Sequence, residues 1–166
     1  MNHMSVHLAP LELQYVELAK ELIRRVWREH FGADADPYVR TFLDRPDAFP
    51  DLDDWSHIYA GPFGSFVVVL DGGCVVGTGG IRRMEPHVAE LTRMFLLPSY
   101  RGCGLGRRIA EHLIRFAREA GYRSVRLATN KQLLASHALY RSLGFQDIPA
   151  YERGGERVAY YMELVM

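Results

Sequence analysis

An apolar run ends at Leu97 and Pro98, glycines follow at every second position (Gly102, Gly104, Gly106), and a helical pattern opens at Leu105. A strand that breaks into a glycine-rich turn and starts a helix leaves bare backbone N–H groups at the turn. The positive end of the helix dipole lies behind them, and the combination suits a phosphate. The stretch therefore predicts a strand–turn–helix unit and a phosphorylated ligand held mainly by backbone.

The rest of the pattern surrounds that unit. Ser5 to Ala9 reads as a strand. Leu11 to Phe31 reads as a helix with Tyr15, Leu18, Leu22 and Val26 on its apolar face and Gly32 as its stop. Residues 33 to 64 carry seven aspartates up to Asp54 and read as a surface segment with loop character, with a short helix over Pro37 to Leu43. Gly64 to Leu70 and Cys74 to Arg82 form a hairpin about Asp71-Gly72, and Glu90 to Leu97 is the next strand. A helix over Leu105 to Ala120, a strand over Val125 to Ala128 and a helix over Leu133 to Leu143 follow. The strands Phe145 to Ile148 and Val158 to Leu164, joined by a loop at Arg153-Gly154-Gly155, complete the set. This order predicts one mixed α/β domain over residues 1–166, with helices on the faces of a sheet.

Lysines plus arginines equal aspartates plus glutamates, giving formal net charge +0. No global field draws the chain to nucleic acid or to an anionic membrane. Cys74 and Cys103 make neither a metal spacing nor a disulfide framework, and the histidines show no zinc spacing, so the expectation is a cytoplasmic protein without a metal. No apolar run approaches the ~20 residues of a membrane span, and no signal-peptide pattern opens the chain.

The glycine spacing is G-x-G-x-G, which misses the dinucleotide fingerprint by one place, and no Gly-Lys-Ser/Thr ends the loop. What it does match is Arg/Gln-x-x-Gly-x-Gly/Ala, through Arg101, Gly104 and Gly106. Glu90 stands eleven residues before Arg101, and Leu139-Tyr140-Arg141-Ser142-Leu143-Gly144-Phe145 follows about forty residues after it. This set resembles the GNAT superfamily of acetyl-CoA-dependent N-acetyltransferases.

The resemblance implies a mostly antiparallel sheet of six to seven strands, helices on both faces, and splayed strands four and five. It implies that Phe95, Leu96 and Leu97 offer backbone groups to pantetheine. Arg101, Gly102, Cys103, Gly104, Leu105, Gly106 and Arg107 would wrap the pyrophosphate. Tyr140 becomes the candidate general acid, or else a packed helix tyrosine. Glu90 becomes the candidate general base, or else a strand-start carboxylate in a salt bridge with Arg82, Arg83 or Arg93; Glu85, His87 and Asp54 are other bases. Where many members carry a cofactor-binding asparagine this chain has Leu133; Asn130 is the substitute, or a helix cap, and Ser136 or Arg141 could meet the adenosine end. The acceptor is an amine, with a small molecule favoured over a peptide. The aspartates of residues 33 to 54 are a candidate steering field, and a homodimer through terminal strands is a family option. The rival class is a non-catalytic acyl-CoA-binding module on the same fold.

Overall fold

The structure is a computed structural model that describes residues 6–31, 43–152 and 159–166. Its described strands form one sheet in the order β1-β2-β3-β4-β5-β7-β6. The strands are β1 (His7–Pro10), β2 (Ser65–Asp71), β3 (Cys74–Glu85), β4 (Val88–Leu96), β5 (Ser124–Asn130), β6 (Gln146–Asp147) and β7 (Ala159–Val165). The helices are α1 (Leu13–Phe31), α2 (Pro50–Asp53), α3 (Trp55–Ile58), α4 (Leu105–Glu119) and α5 (Leu134–Ser142). Only β4 and β5 run parallel; every other neighbouring pair is antiparallel.

Residues buried on both faces make β2 the spine of the sheet. Its Val67, Val68 and Val69 are all buried, and the β-branched side chains suit a strand packed above and below. A two-residue turn at Gly72 and Gly73, both at positive φ (56° and 85°), closes the hairpin to β3. One core lies between the sheet and α4, around Ile109, Leu113, Val125 and Met162. A second lies between the opposite face and α1, around Ile23, Phe49, Leu52 and Phe66.

Two glycines in the middle of β3 set how closely these layers approach. A Cβ on Gly79 would stand 2.3 Å from Cγ2 of Ile109, so α4 rests directly on β3 backbone. A Cβ on Gly80 would stand 2.8 Å from the Phe66 ring and 3.1 Å from the Tyr59 ring on the other face. Glycine inside a strand costs backbone entropy, and here it admits close packing on both sides.

Most elements agree with the sequence reading to within a few residues, but the acidic segment does not. Its described part carries two short helices and buries Ala48, Phe49, Asp51, Leu52 and Tyr59. It is a packed layer because these apolar side chains interleave with the aspartates. The apolar face of α1 is also rotated from the one expected: Val16, Ala19, Leu22, Ile23 and Val26 are buried, while Leu18 is 48% exposed. The helix expected over Pro37 to Leu43 lies, apart from Leu43 itself, outside the described residues. The stop at Gly32 and the loop at Arg153-Gly154-Gly155 lie outside them too. Among the described residues no helix is long and apolar enough to cross a membrane.

Candidate active site

The parallel pair β4–β5 is the structural event that makes a site. It holds at Val88↔Ser124, Ala89↔Val125 and Glu90↔Arg126, and then the strands part. Beyond Glu90, β4 stays with β3 and β5 stays with β7. The wedge between them opens into a cavity of about 610 Å³. That lies within the roughly 300–1,000 Å³ usual for small-ligand sites. Met94, Phe95 and Leu96 line one wall, Leu133 to Ser136 with Leu139 and Tyr140 another, and Val26, Trp27 and His30 of α1 close it. Arg101, Gly102, Gly104, Gly106 and Arg107 form its glycine-loop end.

The glycine loop has the local geometry its sequence predicts. Gly102 and Gly104 sit at φ 76° and 84°, a region that Cβ-bearing residues rarely enter, and nothing stands within 4 Å of where their Cβ atoms would be. Gly104 is the N-cap of α4 and no side chain caps the helix. The first turn holds no acid but does hold Arg107 and Arg108. That is the opposite of what the helix dipole favours on its own, and it is what an anion at this end would stabilise. Arg107 is anchored sideways by Glu111 (3.3 Å) and by Ser142 of α5 (2.6 Å). Arg101 donates from Nε to the Leu96 carbonyl at 3.0 Å, tying the loop to the end of β4. Cys103 is exposed and its thiol donates to the Tyr100 carbonyl. These residues fit a phosphorylated ligand held by backbone.

Tyr140 projects from α5, is 5% exposed, and lines the cavity. The leucine, glycine and phenylalanine that follow it explain its placement. Leu143 closes the helix, Gly144 turns at φ 98°, and Phe145 folds back so that its ring meets the Tyr140 ring edge-on at 5.7 Å. Burial pushes the phenol well above the usual tyrosine range, so it stays protonated.

Glu90 lies at the last β4–β5 pair. It is one member of a row of alternating charge that crosses four strands in register: Arg82↔Glu90↔Arg126↔Glu163. Arg82 donates to Glu90 Oε2 at 2.8 Å, and Arg126 reaches both Glu163 and Glu85 at 3.0 Å. Glu90 does not line the cavity; it borders the apex where the strands part. Asn130 does not line it either. Its side-chain oxygen accepts from the Gln132 N–H at 2.9 Å, which caps the turn into α5. Leu97, Cys103 and Leu105 are not part of the lining either, whereas Leu133 and Ser136 are. Arg141 is paired with Asp147 at 3.0 Å.

Sequence reasoning missed the contribution of α1. Periodicity shows which face of a helix is apolar but not which turn looks into a cavity, and Trp27 and His30 carried no motif. It also missed the β4 bulge. Thr78↔Phe95 and Gly80↔Thr92 leave two β4 residues, Arg93 and Met94, opposite Gly79 alone. Arg93 is the one non-glycine residue at positive φ (55°) among the described residues. Its carbonyl accepts from the Thr78 hydroxyl at 2.8 Å. Its guanidinium grips Asp51 with Nε at 3.0 Å and the terminal nitrogen at 2.6 Å. Burial alone would raise the Asp51 carboxyl. Arg93 and the Tyr59 hydroxyl outweigh it and hold that carboxyl below the usual aspartate range.

The sequence pattern of the Acetyltransferase (GNAT) family matches residues 19–145. The chain is 38% identical over 104 residues to the uncharacterized N-acetyltransferase YjgM of Escherichia coli, a match that spans 61% of this chain and 62% of that protein. It is 33% identical over 134 residues to the N-alpha-acetyltransferase RimI of Mycobacterium tuberculosis, over 70% of this chain and 83% of that one. The match to rat N-acetylaspartate synthetase is 34% identical over 102 residues and spans 60% of this chain but only 34% of that protein. The fold superposes on the PaiA N-acetyltransferase of Thermoplasma acidophilum, solved in complex with coenzyme A. That likeness has TM-score 0.79 and 18% identity and covers 98% of this chain and 100% of that one. With the family pattern running from within α1 to Phe145 and the parted β4–β5 pair at its centre, the chain belongs to the GNAT acetyltransferase family, a family of acyltransferases.

Proposed function

We propose that the chain, acting as one domain, moves the acetyl group of acetyl-CoA to a primary amine by direct attack within a ternary complex. The observation that carries the reading is the wedge between β4 and β5, with a buried phenol on one wall and an uncapped, arginine-bearing helix start at one end. When bound, acetyl-CoA supplies an acyl group activated as a thioester. The turn Arg101 to Arg107 holds the pyrophosphate by backbone N–H groups and by the end of α4. Phe95 and Leu96 offer backbone groups to the pantetheine arm, and an N–H of this stretch polarises the carbonyl where charge develops. Tyr140 holds its proton beside the sulfur and delivers it as the thiolate leaves. Glu90, oriented by Arg82, takes the amine's proton through water at the apex.

A small amine is the favoured acceptor. The likeness to N-acetylaspartate synthetase, whose name specifies a small product, supports it, while the likeness to RimI favours a peptide N-terminus. Thiol release from acetyl-CoA is measured over a panel of polyamines, amino acids, aminoglycosides and peptides, beside calorimetry of acetyl-CoA binding. Turnover with at least one small amine is expected. Binding without turnover on any amine would replace this reading with a non-catalytic acyl-CoA module.

A further inference from the structure

Arginine at position 93 is a poor choice for the backbone it occupies. A bulge at φ 55° is a place for glycine, because a Cβ crowds the neighbouring carbonyl there. A residue kept in that conformation against its own preference is held by its surroundings. Here three contacts hold it. Thr78, itself fully buried, binds the Arg93 carbonyl from the facing strand. Asp51, 42 residues earlier in the chain and 3% exposed, takes the guanidinium with both of its oxygens. The Phe49 ring lies 5.1 Å from the guanidinium carbon. Tyr59 donates to the same carboxylate at 2.7 Å, so Asp51 receives three hydrogen bonds, with both of its oxygens engaged.

The position of this clamp matters more than its strength. Met94, Phe95 and Leu96 follow the bulge directly, and they are the β4 residues that line the cavity. The bulge decides how their backbone is turned relative to β3, and so which N–H groups face the wedge. We propose that Asp51 is a positioning residue for acyl transfer. It acts through Arg93 to fix the β4 bulge, and thereby aims the backbone N–H groups of residues 94–96 at the acyl carbonyl. The proposal rests on the acetyl-transfer reading for what is aimed at, but the hold of Asp51 on the bulge stands on the clamp alone. It also gives the segment around α2 a task. Packed on α1 and joined to β4 through this pair and its apolar neighbours, that segment sets the geometry of the reacting end without lining the cavity.

Asp51→Asn removes the charge and one acceptor at constant shape. Arg93→Lys keeps the charge and loses the fork, and it keeps the test open if the first variant does not fold. Asp51→Asn/Arg93→Gly lets the backbone take positive φ freely but without an anchor. In each, turnover is expected to fall about tenfold or more while the Kd for acetyl-CoA stays within about twofold, the split of an interaction made at the transition state. Amide hydrogen exchange at residues 94–96 is expected to rise about tenfold more than exchange in β2, whose own rise reports the loss of global stability. The infrared carbonyl band of bound, carbonyl-labelled acetyl-CoA should shift toward its position in water. Wild-type turnover in Arg93→Lys or in the double variant, or exchange that rises equally in β2, would overturn the proposal. If the wild-type chain releases no thiol with any amine, the acetyl-transfer reading fails, and the exchange measurement still decides whether Asp51 holds the bulge.

Discussion

Tyr140 and Asp51 are both buried and both titratable, and their surroundings push them in opposite directions. Tyr140 meets apolar walls, so burial raises its phenol and keeps it protonated. Tyr140→Phe should lower turnover about 100-fold and leave acetyl-CoA affinity nearly unchanged, as read by steady-state kinetics beside calorimetry. Asp51 meets an arginine fork and a phenol, so its carboxyl titrates below the ordinary value of 3.8. A depressed folded pKa contributes stability that is present above the unfolded value and lost as pH falls through the folded one. Asp51→Asn should therefore cost about 3 kcal/mol near neutral pH, where it leaves Arg93 unpaired. The gap to the wild type should close below about pH 4 as Asp51 itself protonates; urea midpoints at three pH values check both halves. Tyr140 was legible in the sequence because its packing partners, Leu143 and Phe145, lie within five residues. The pair Asp51–Arg93 was not, because its members lie 42 residues apart and a positive φ at arginine leaves no mark in composition.

Among elements, β3 controls the site although it contributes no side chain to the cavity. Its glycines let α4 and the α2 segment sit directly on backbone from opposite faces. Gly79→Ala would drive a methyl into Ile109 Cγ2 at 2.3 Å and the Met94 sulfur at 2.9 Å, the one on α4 and the other on the bulge. Overpacking of this kind costs about 2 kcal/mol, to be read as a lower denaturant midpoint. Because the displaced atoms belong to the glycine-loop helix and to β4, acetyl-CoA binding should weaken with it. Strands and long helices were readable because period-2 and period-3.6 patterns are local. The helices α2 and α3 were not, because each spans a single turn and owes its form to tertiary packing. The rotation of the α1 face was missed because Leu18 fits the helical period as well as its buried neighbours do.

At the scale of the molecule, charge is balanced by pairing within it. Of the described aspartates of the acidic segment, Asp44 is paired with Arg28, Asp47 with Arg45, Asp51 with Arg93 and Asp53 with Lys20, and Asp54 is hydrogen-bonded to the His57 ring. Asp34 and Asp36 of this segment lie outside the described residues. With formal net charge +0 and the pairs above, we expect the segment to steer a cationic amine only weakly. The kcat/KM for a cationic acceptor should change less than about threefold between about 50 mM and 500 mM salt, where a steered encounter would fall steeply. Composition counted those aspartates correctly but could not show that each described one has a partner.

The parting of β4 and β5 has a further consequence for the sheet as a surface. A sheet has two rims, and over the parted stretch this one has two more, facing each other inside the protein. An inner rim of backbone groups that no strand pairs is a template for strand addition, and α1, the glycine loop and α5 stand around it. A linear ligand rich in amides, laid along that rim, would mend the sheet as a guest strand. The protein is in this sense a sheet with room for one more strand between two of its own.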